Sequence, residues 1–390
     1  MSLAERLQPL FDRLPEDKRR ARHDLWQQLM DEGFPGRKHE RWRFTDIAEA
    51  VAETPEAPGP ARITLPELDG LRRVGFINGR SDGLDDGERQ EAPASGISDA
   101  SDLVNAALSA TGVHWEAGTA DAALHLCTRA TAGSVHLRHR VHVPADVQAV
   151  LYWDDHVAES AGFGTQTLEI TLAENARLDL ARVHRNQAAP VLLRTDARLA
   201  AGAHLRMTGF DAADHLSRHN LYVRLDAPGA RADLDGVYAP YGEGHIDTFA
   251  TVEHASGETI SRMTFRGLGM DKGVGVLTGR VHVHRDAQKT DSDQHLASLL
   301  LSPRARINAK PELEIYADDV QCAHGNAIGQ IDRDALHYLQ TRGIPHATAR
   351  ALLIGGFAAE TLAFPAQPAV HDALLAALDE ALQHADWSTA

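Results

Sequence analysis

The stretch Leu172-Ala173-Glu174-Asn175-Ala176-Arg177-Leu178-Asp179-Leu180 returns in pattern as Leu199-Ala200-Ala201-Gly202-Ala203-His204-Leu205-Arg206-Met207. It returns again as Leu225-Asp226-Ala227-Pro228-Gly229-Ala230-Arg231-Ala232-Asp233-Leu234. The starts lie 27 and 26 residues apart, and Val252-Glu253-His254-Ala255-Ser256-Gly257 begins a weaker copy 27 further on. Each copy reads as the end of one strand, a turn, and the alternating start of the next. A strand–turn–strand unit at this period, with no helix between copies, cannot bury its apolar face alone, whereas stacked copies bury each other's. The pattern therefore predicts a β-solenoid. An antiparallel sandwich with similar turn spacing is the competing reading. Aromatics make up only 5% of the chain, which suits a narrow stacked core of Val, Ile, Leu and Ala.

Outward from the repeat, strand signals begin near residue 120, at Leu124-His125-Leu126-Cys127, Val135-His136-Leu137 and Thr167-Leu168-Glu169-Ile170. Upstream, residues 3 to about 50 read as helix, because Leu7, Leu10, Phe11 and Leu14, then Leu25, Leu29 and Met30, recur at helical spacing. Glu53 to Pro60 reads as a linker, Leu71 to Ile77 as a strand, and Asp82 to Gly87 as an acidic, glycine-rich loop. After Gly329, Asp332 to Leu339 and Ala347 to Phe357 read as helices. Gly343 suits the C-cap of the first, and Pro345 the first turn of the second. A last helix is expected from about Pro368 to His384. The expected organisation is mainly β: an N-terminal helical region with short strands (1–120), a solenoid core (121–330) and a C-terminal helical domain (331–390).

A chain of 390 residues with 43% apolar content supports a sizeable core. The formal charge of −16 disfavours nucleic acid as a partner, because phosphate neutralisation needs clustered Lys and Arg. No apolar run approaches the ~18 residues needed to span a bilayer. The N-terminus has no apolar signal core, and two distant cysteines build no disulfide framework. A cytoplasmic protein without a membrane partner is the expectation.

No Walker A loop, Gly-x-Ser-x-Gly elbow, His-Glu-x-x-His or Cys-x-x-Cys pattern occurs, and Gly267-Leu268-Gly269 is not a dinucleotide fingerprint. His282-Val283-His284 is a same-side pair on an expected strand; exposed polar decoration is its simpler reading. Trp153-Asp154-Asp155-His156 groups carboxylates with imidazole but reads as a solvated turn. His215, His219, His245 and His254 read as turn residues without partners, and Cys127 as a small core residue. The chemistry concentrates in Lys310-Pro311-Glu312-Leu313-Glu314-Ile315-Tyr316-Ala317-Asp318-Asp319-Val320-Gln321-Cys322-Ala323-His324-Gly325. On a strand, Cys322 and His324 project to the same side about 6 to 7 Å apart, close enough for one metal ion. An iron–sulfur cluster usually takes about four ligands. Two donors cannot hold one tightly within this chain alone.

From Ala287-Gln288-Lys289-Thr290-Asp291 through Leu299-Leu300-Leu301-Ser302, the 310–325 segment, Ile328-Gly329-Gln330 and Tyr338-Leu339-Gln340-Thr341-Arg342-Gly343-Ile344, the chain resembles the SufB/SufD family. Its nearer likeness is to the SufD branch of these iron–sulfur cluster assembly scaffolds. Arg37 to Trp42 and Phe76-Ile77-Asn78-Gly79 are weaker matches. Gln294-His295-Leu296-Ala297-Ser298 departs from a stretch that is Asn-rich in the family, and the SufB-type cysteine set is absent. The resemblance implies a right-handed parallel β-helix between helical ends, and a non-catalytic scaffold that pairs with a SufB-like chain through the β-helix ends. The C-terminal helices would dock a SufC-like ATPase through Tyr338, Arg342, Gly343, Ile344, Leu353 and Phe357. Cys322 and His324 would face the SufB-like chain as candidate ligands for iron or a transient iron–sulfur cluster shared between subunits. An isolated chain could self-pair as a homodimer. Two other readings remain open at this point: a β-helix enzyme acting on polysaccharide, and a stand-alone metal-binding homodimer.

Overall fold

The computed structural model of the chain describes residues 2–51, 54–82, 100–109, 111–118, 122–158 and 162–384. Most of the acidic loop expected at 82–87, and Glu53 of the expected linker, lie outside the described residues. The strands are β1 (Arg72–Ile77), β2 (Arg80–Asp82), β3 (His114–Glu116), β4 (Ala123–Ala130), β5 (His136–Val143), β6 (Gln148–Val157), β7 (Gly164–Leu172), β8 (Arg177–Asn186) and β9 (Val191–Leu199). They continue as β10 (His204–Ala213), β11 (Leu216–Leu225), β12 (Arg231–Pro240), β13 (His245–His254), β14 (Ile260–Gly269), β15 (Val274–Val283), β16 (Thr290–Leu300), β17 (Arg306–Ile315) and β18 (Val320–Gly329).

These strands form two sheets. One runs β18-β16-β14-β12-β10-β8-β6-β4-β1-β2, the other β17-β15-β13-β11-β9-β7-β5-β3. Every described ladder is parallel except the β1–β2 hairpin. Alternate strands join each sheet, so the chain winds from one sheet to the other and back: a parallel β-solenoid, not a sandwich. His204 sits between Arg177 and Arg231, a shift of 27 residues each way. The next shifts on that sheet are 29 (Arg231 to Ile260) and 31 (Ile260 to Asp291). The lengthening turn is why the fourth copy looked weak in sequence.

The repeated motif is the corner between sheets. Asp146, Asn175, Gly202, Gly229, Glu258 and Lys289 all have positive φ, one per turn of the solenoid. The motif places Asn or Gly there because these residues adopt the left-handed conformation at least cost. At Gly202 (φ +64°) a side chain would also meet Asn175 Oδ1 at 2.4 Å. The following Ala176, Ala203 and Ala230 are wholly buried, closing the corner with one methyl each. Asn175 Nδ2 donates to Asp146 Oδ1 at 3.1 Å, tying successive corners.

Alternate residues of both sheets fill the space between them, among them Leu178, Leu180, Leu199, Leu205, Leu221 and Val252. The outer face of the ten-stranded sheet carries Tyr152, Val183, Phe210, Val237 and Leu268. It is covered by α7 (His346–Ala359) and α8 (Pro368–His384) through Ile354, Leu374 and Leu378, with Phe364 of the segment between them. The N-terminal helices α1 (Leu3–Asp12), α2 (Glu16–Ala21), α3 (His23–Glu32) and α4 (Ile47–Ala50) gather with α5 (Ala100–Leu108). Their apolar cluster reaches Leu192 and Leu216 of the solenoid. Helix α6 (Arg333–Thr341) buries no side chain; Asp332 caps it, accepting from the backbone N–H groups of Asp334 and Ala335. Gly343, at φ +84°, follows its C-cap as expected, but Pro345 is the N-cap of α7 and not its first helical residue.

Three sequence readings are corrected. Trp153 to His156 is no solvated turn: it lies within β6, with Trp153, Asp154 and Asp155 buried. Asp155 accepts from His184 at 2.7 Å and from Gln166 at 2.6 Å inside the solenoid. His219 and His254 are buried in strands with Thr195, and with Thr259 and Ser261, as partners. His245 begins β13 and bonds Thr45. Sequence spacing could not show that the wound chain has a polar interior near its middle, where such groups satisfy one another.

Candidate metal and partner site at the open end of the solenoid

The stack ends at β17 and β18, the last strands of their sheets. Neither has a further neighbour among the described residues, so each leaves a row of backbone groups unpaired. Along β18, Cys322 and His324 lie in register with Ser292 and Gln294 of β16. Ser292 and Gln294 are both buried. Period-two alternation puts all four side chains on the face that lines the solenoid interior. In earlier turns another coil buries that face; here it opens at the end of the stack. Cys322 is half-buried and packs on the core, while His324 is exposed. Burial pushes the Cys322 thiol up, partly offset by a backbone hydrogen bond at Ser292. The two residues expected to share one side do so.

Among the described residues, Cys322 and His324 belong to no ligand-sized group of three His, Cys, Asp or Glu side chains. Asp318 and Asp319 are exposed in the turn between β17 and β18. That turn is held by its backbone, since Asp319 N–H donates to Gln288 Oε1 at 2.8 Å and Lys289 N–H to Asp319 O at 2.6 Å. The donor set fits one part of a metal site. Around it the open end displays apolar side chains: Tyr316 is 60% exposed, Ile328 44% and Ile315 37%. Their signal is positional, since Ile315 and Ile328 keep the inward alternation with no coil left to cover them.

His282, near the end of β15, and His284, just past it, lie side by side with ring centroids 4.8 Å apart. Each has a carboxylate partner, Glu314 at 3.0 Å and Glu253 at 2.6 Å. That hydrogen-bonded outer face accounts for the pair. Gln294, at the departure from the family pattern, is buried with Nε2 directed at Glu312 O, 3.5 Å away.

On the C-terminal helices, Tyr338 is 58% exposed, with the exposed Arg342 guanidinium 5.2 Å from its ring centre. Gly343 is exposed, and Ile344 and Leu353 are half-buried. Phe357 packs inward on the cluster under α7, with Arg266 over its ring at 5.1 Å. Leu352, 55% exposed on the same helix, was not singled out from sequence, because exposure on a helix face is decided by what the opposite face packs on.

Residues 126–357 match the family model described as "SUF system FeS cluster assembly, SufBD core domain". The chain is 28% identical over 366 residues to the iron–sulfur cluster assembly protein SufD of Escherichia coli, covering 86% of each chain. It is 34% identical to protein ABCI7, chloroplastic, of Arabidopsis thaliana over half of this chain and 42% of that one. Against the SufBD family protein slr0076 of Synechocystis it is 33% identical, over 53% and 46% of the two chains. The family model spans more than half of a chain whose strands wind as that resemblance led one to expect, and the chain belongs to the SufB/SufD family as a SufD homologue.

Proposed function

We propose that this chain is the SufD-like scaffold subunit of a SufB–SufC–SufD type complex. It pairs through the open end of its solenoid with a SufB-like chain and lends Cys322 and His324 to an inter-subunit site where iron or a nascent cluster is held. The observation that carries this reading is the uncapped last coil. It combines two unpaired edge strands, exposed apolar residues and a two-donor set too small for any cluster. A surface of that kind is completed by another protein, and a second β-solenoid end offers matching strand edges. The exposed face of α6 and α7, with Tyr338, Arg342 and Leu352, is the docking surface for a SufC-like ATPase. ATP hydrolysis then belongs to that partner, and this chain acts in the cytoplasm as a non-catalytic scaffold.

Co-expression with cognate SufB-like and SufC-like chains tests the reading. A three-component complex that accumulates iron and sulfide, and loses both with His324→Ala, is the expected result. Failure of the intact chain to bind either partner would overturn it.

A further inference from the structure

A second group of donors lies near the other end of the stack. On β4, His125 and Cys127 alternate with Leu124 and Leu126, which point into the core, so both face outward from the ten-stranded sheet. Register sets Cys127 beside Asp154 of β6 and beside Gly75 of β1. Outward-facing here does not mean exposed. Leu65 sits over Gly75, and His125, Cys127 and Asp154 are 0%, 0% and 2% exposed. One ligand atom from each of the three lies within 4.8 Å of the others.

Among the described residues, neither ring nitrogen of His125 has a hydrogen-bond partner. A buried imidazole with both nitrogens unmatched is costly and calls for an explanation. A metal ion accepts the nitrogen lone pair and removes one of the two defects. The charges nearby select the kind of ion. Arg129 donates to Asp154 Oδ2 at 2.5 Å and Arg185 to Asp154 Oδ1 at 2.7 Å, while Arg185 also reaches Glu380 of α8 at 2.9 Å. Two guanidiniums thus face two carboxylates, and the charge of Asp154 is already balanced. A divalent ion entering with one thiolate would leave an uncompensated positive charge in this buried place. A monovalent ion replaces the thiol proton charge for charge. Thiolate is a soft donor of the kind that selects Cu(I), and imidazole also suits copper.

We propose that Cys127 and His125 form a buried two-ligand site for a soft monovalent metal ion, Cu(I), beside the Asp154 carboxylate held by Arg129 and Arg185. On binding, the Sγ–H bond breaks and its proton leaves to solvent, an Sγ–Cu bond forms, and one imidazole nitrogen completes the coordination. Copper stays in the +1 state, so no electron donor or acceptor is needed.

The chain has two cysteines, so Cys322→Ser leaves Cys127 as the sole thiol. The full-length Cys322→Ser protein is titrated anaerobically with Cu(I) against a chromophoric Cu(I) chelator. One retained equivalent is expected, with one sulfur and one nitrogen at the ion by X-ray absorption. Adding Cys127→Ser should abolish that equivalent, and adding His125→Asn should weaken it about tenfold or more. Equal copper retention with and without Cys127 would overturn the proposal, as would Zn(II) displacing Cu(I) at equal concentration. Should the Cys127→Ser protein not fold, the X-ray absorption of the Cys322→Ser protein decides alone: absence of the sulfur–nitrogen signature overturns the site.

Discussion

At the scale of single residues, position in the wound stack matters more than residue type. Cys127 and Cys322 are both cysteines on strands, yet one is wholly buried beside Gly75 and the other opens at the last coil. Burial pushes the Cys127 thiol up to about 12. Alkylation of the native protein should therefore modify Cys322 far faster than Cys127, as mass spectrometry of labelled peptides will read. Histidines show the same dependence. Desolvation pushes His139 down to about 3, His254 down to about 4 and His219 well below its ordinary value, so all three are neutral in the folded state. Unfolded, each takes up a proton near pH 6.5. Stability is therefore full above that pH and falls from about 6.5 down to the folded-state values. The loss amounts to about 2 kcal/mol per histidine by pH 5. Thermal melting followed from pH 7 to pH 5 should show this fall. A flat profile would mean that these side chains reach solvent. Sequence could name the histidines but not the coil that buries each one.

At the scale of elements, the corner turn and helix α6 invite opposite expectations. Gly202→Val puts a β-branched residue at φ +64°, at a cost of about 1–3 kcal/mol from the backbone alone, before the contact with Asn175 is counted. Chemical denaturation should register that loss for the whole solenoid, since each coil supports the next. The repeat was legible because the corner repeats a backbone conformation and a buried alanine, both of which restrict residue type. Asp332→Ala removes the cap of a helix that buries nothing, worth about 1 kcal/mol locally. Global melting should scarcely move, while affinity for a SufC-like ATPase should drop in pull-down or calorimetry. An unchanged affinity would place ATPase docking elsewhere.

At the scale of the whole molecule, α7 and α8 are part of the fold. They cover Tyr152, Phe210, Val237 and Leu268 on the ten-stranded sheet, and Arg350 of α7 donates to Leu301 O at 2.6 Å. Truncation after residue 344 should expose that apolar face and yield aggregating protein that binds hydrophobic dyes. At the open end, Tyr316→Glu with Ile328→Glu should leave the isolated chain folded but lower its affinity for a SufB-like partner, measured by size-exclusion chromatography with light scattering. Both side chains already meet water in the single chain, so charge costs little until a partner covers them.

By itself the sequence determined the winding of the chain, its helical ends and the pairing of Cys322 with His324 on one side. Each of these follows from local periodicity: a corner every 27 residues or so, apolar residues at helical spacing, and a period of two along a strand. Tertiary structure alone decided that Trp153 to His156 is interior, that His125, Cys127 and Asp154 meet, and that the face bearing His324 is the one left open. Those facts depend on which coil lies above and below each residue. Neighbours in adjacent coils stand nearly thirty residues apart along the chain, and local pattern carries no record of them.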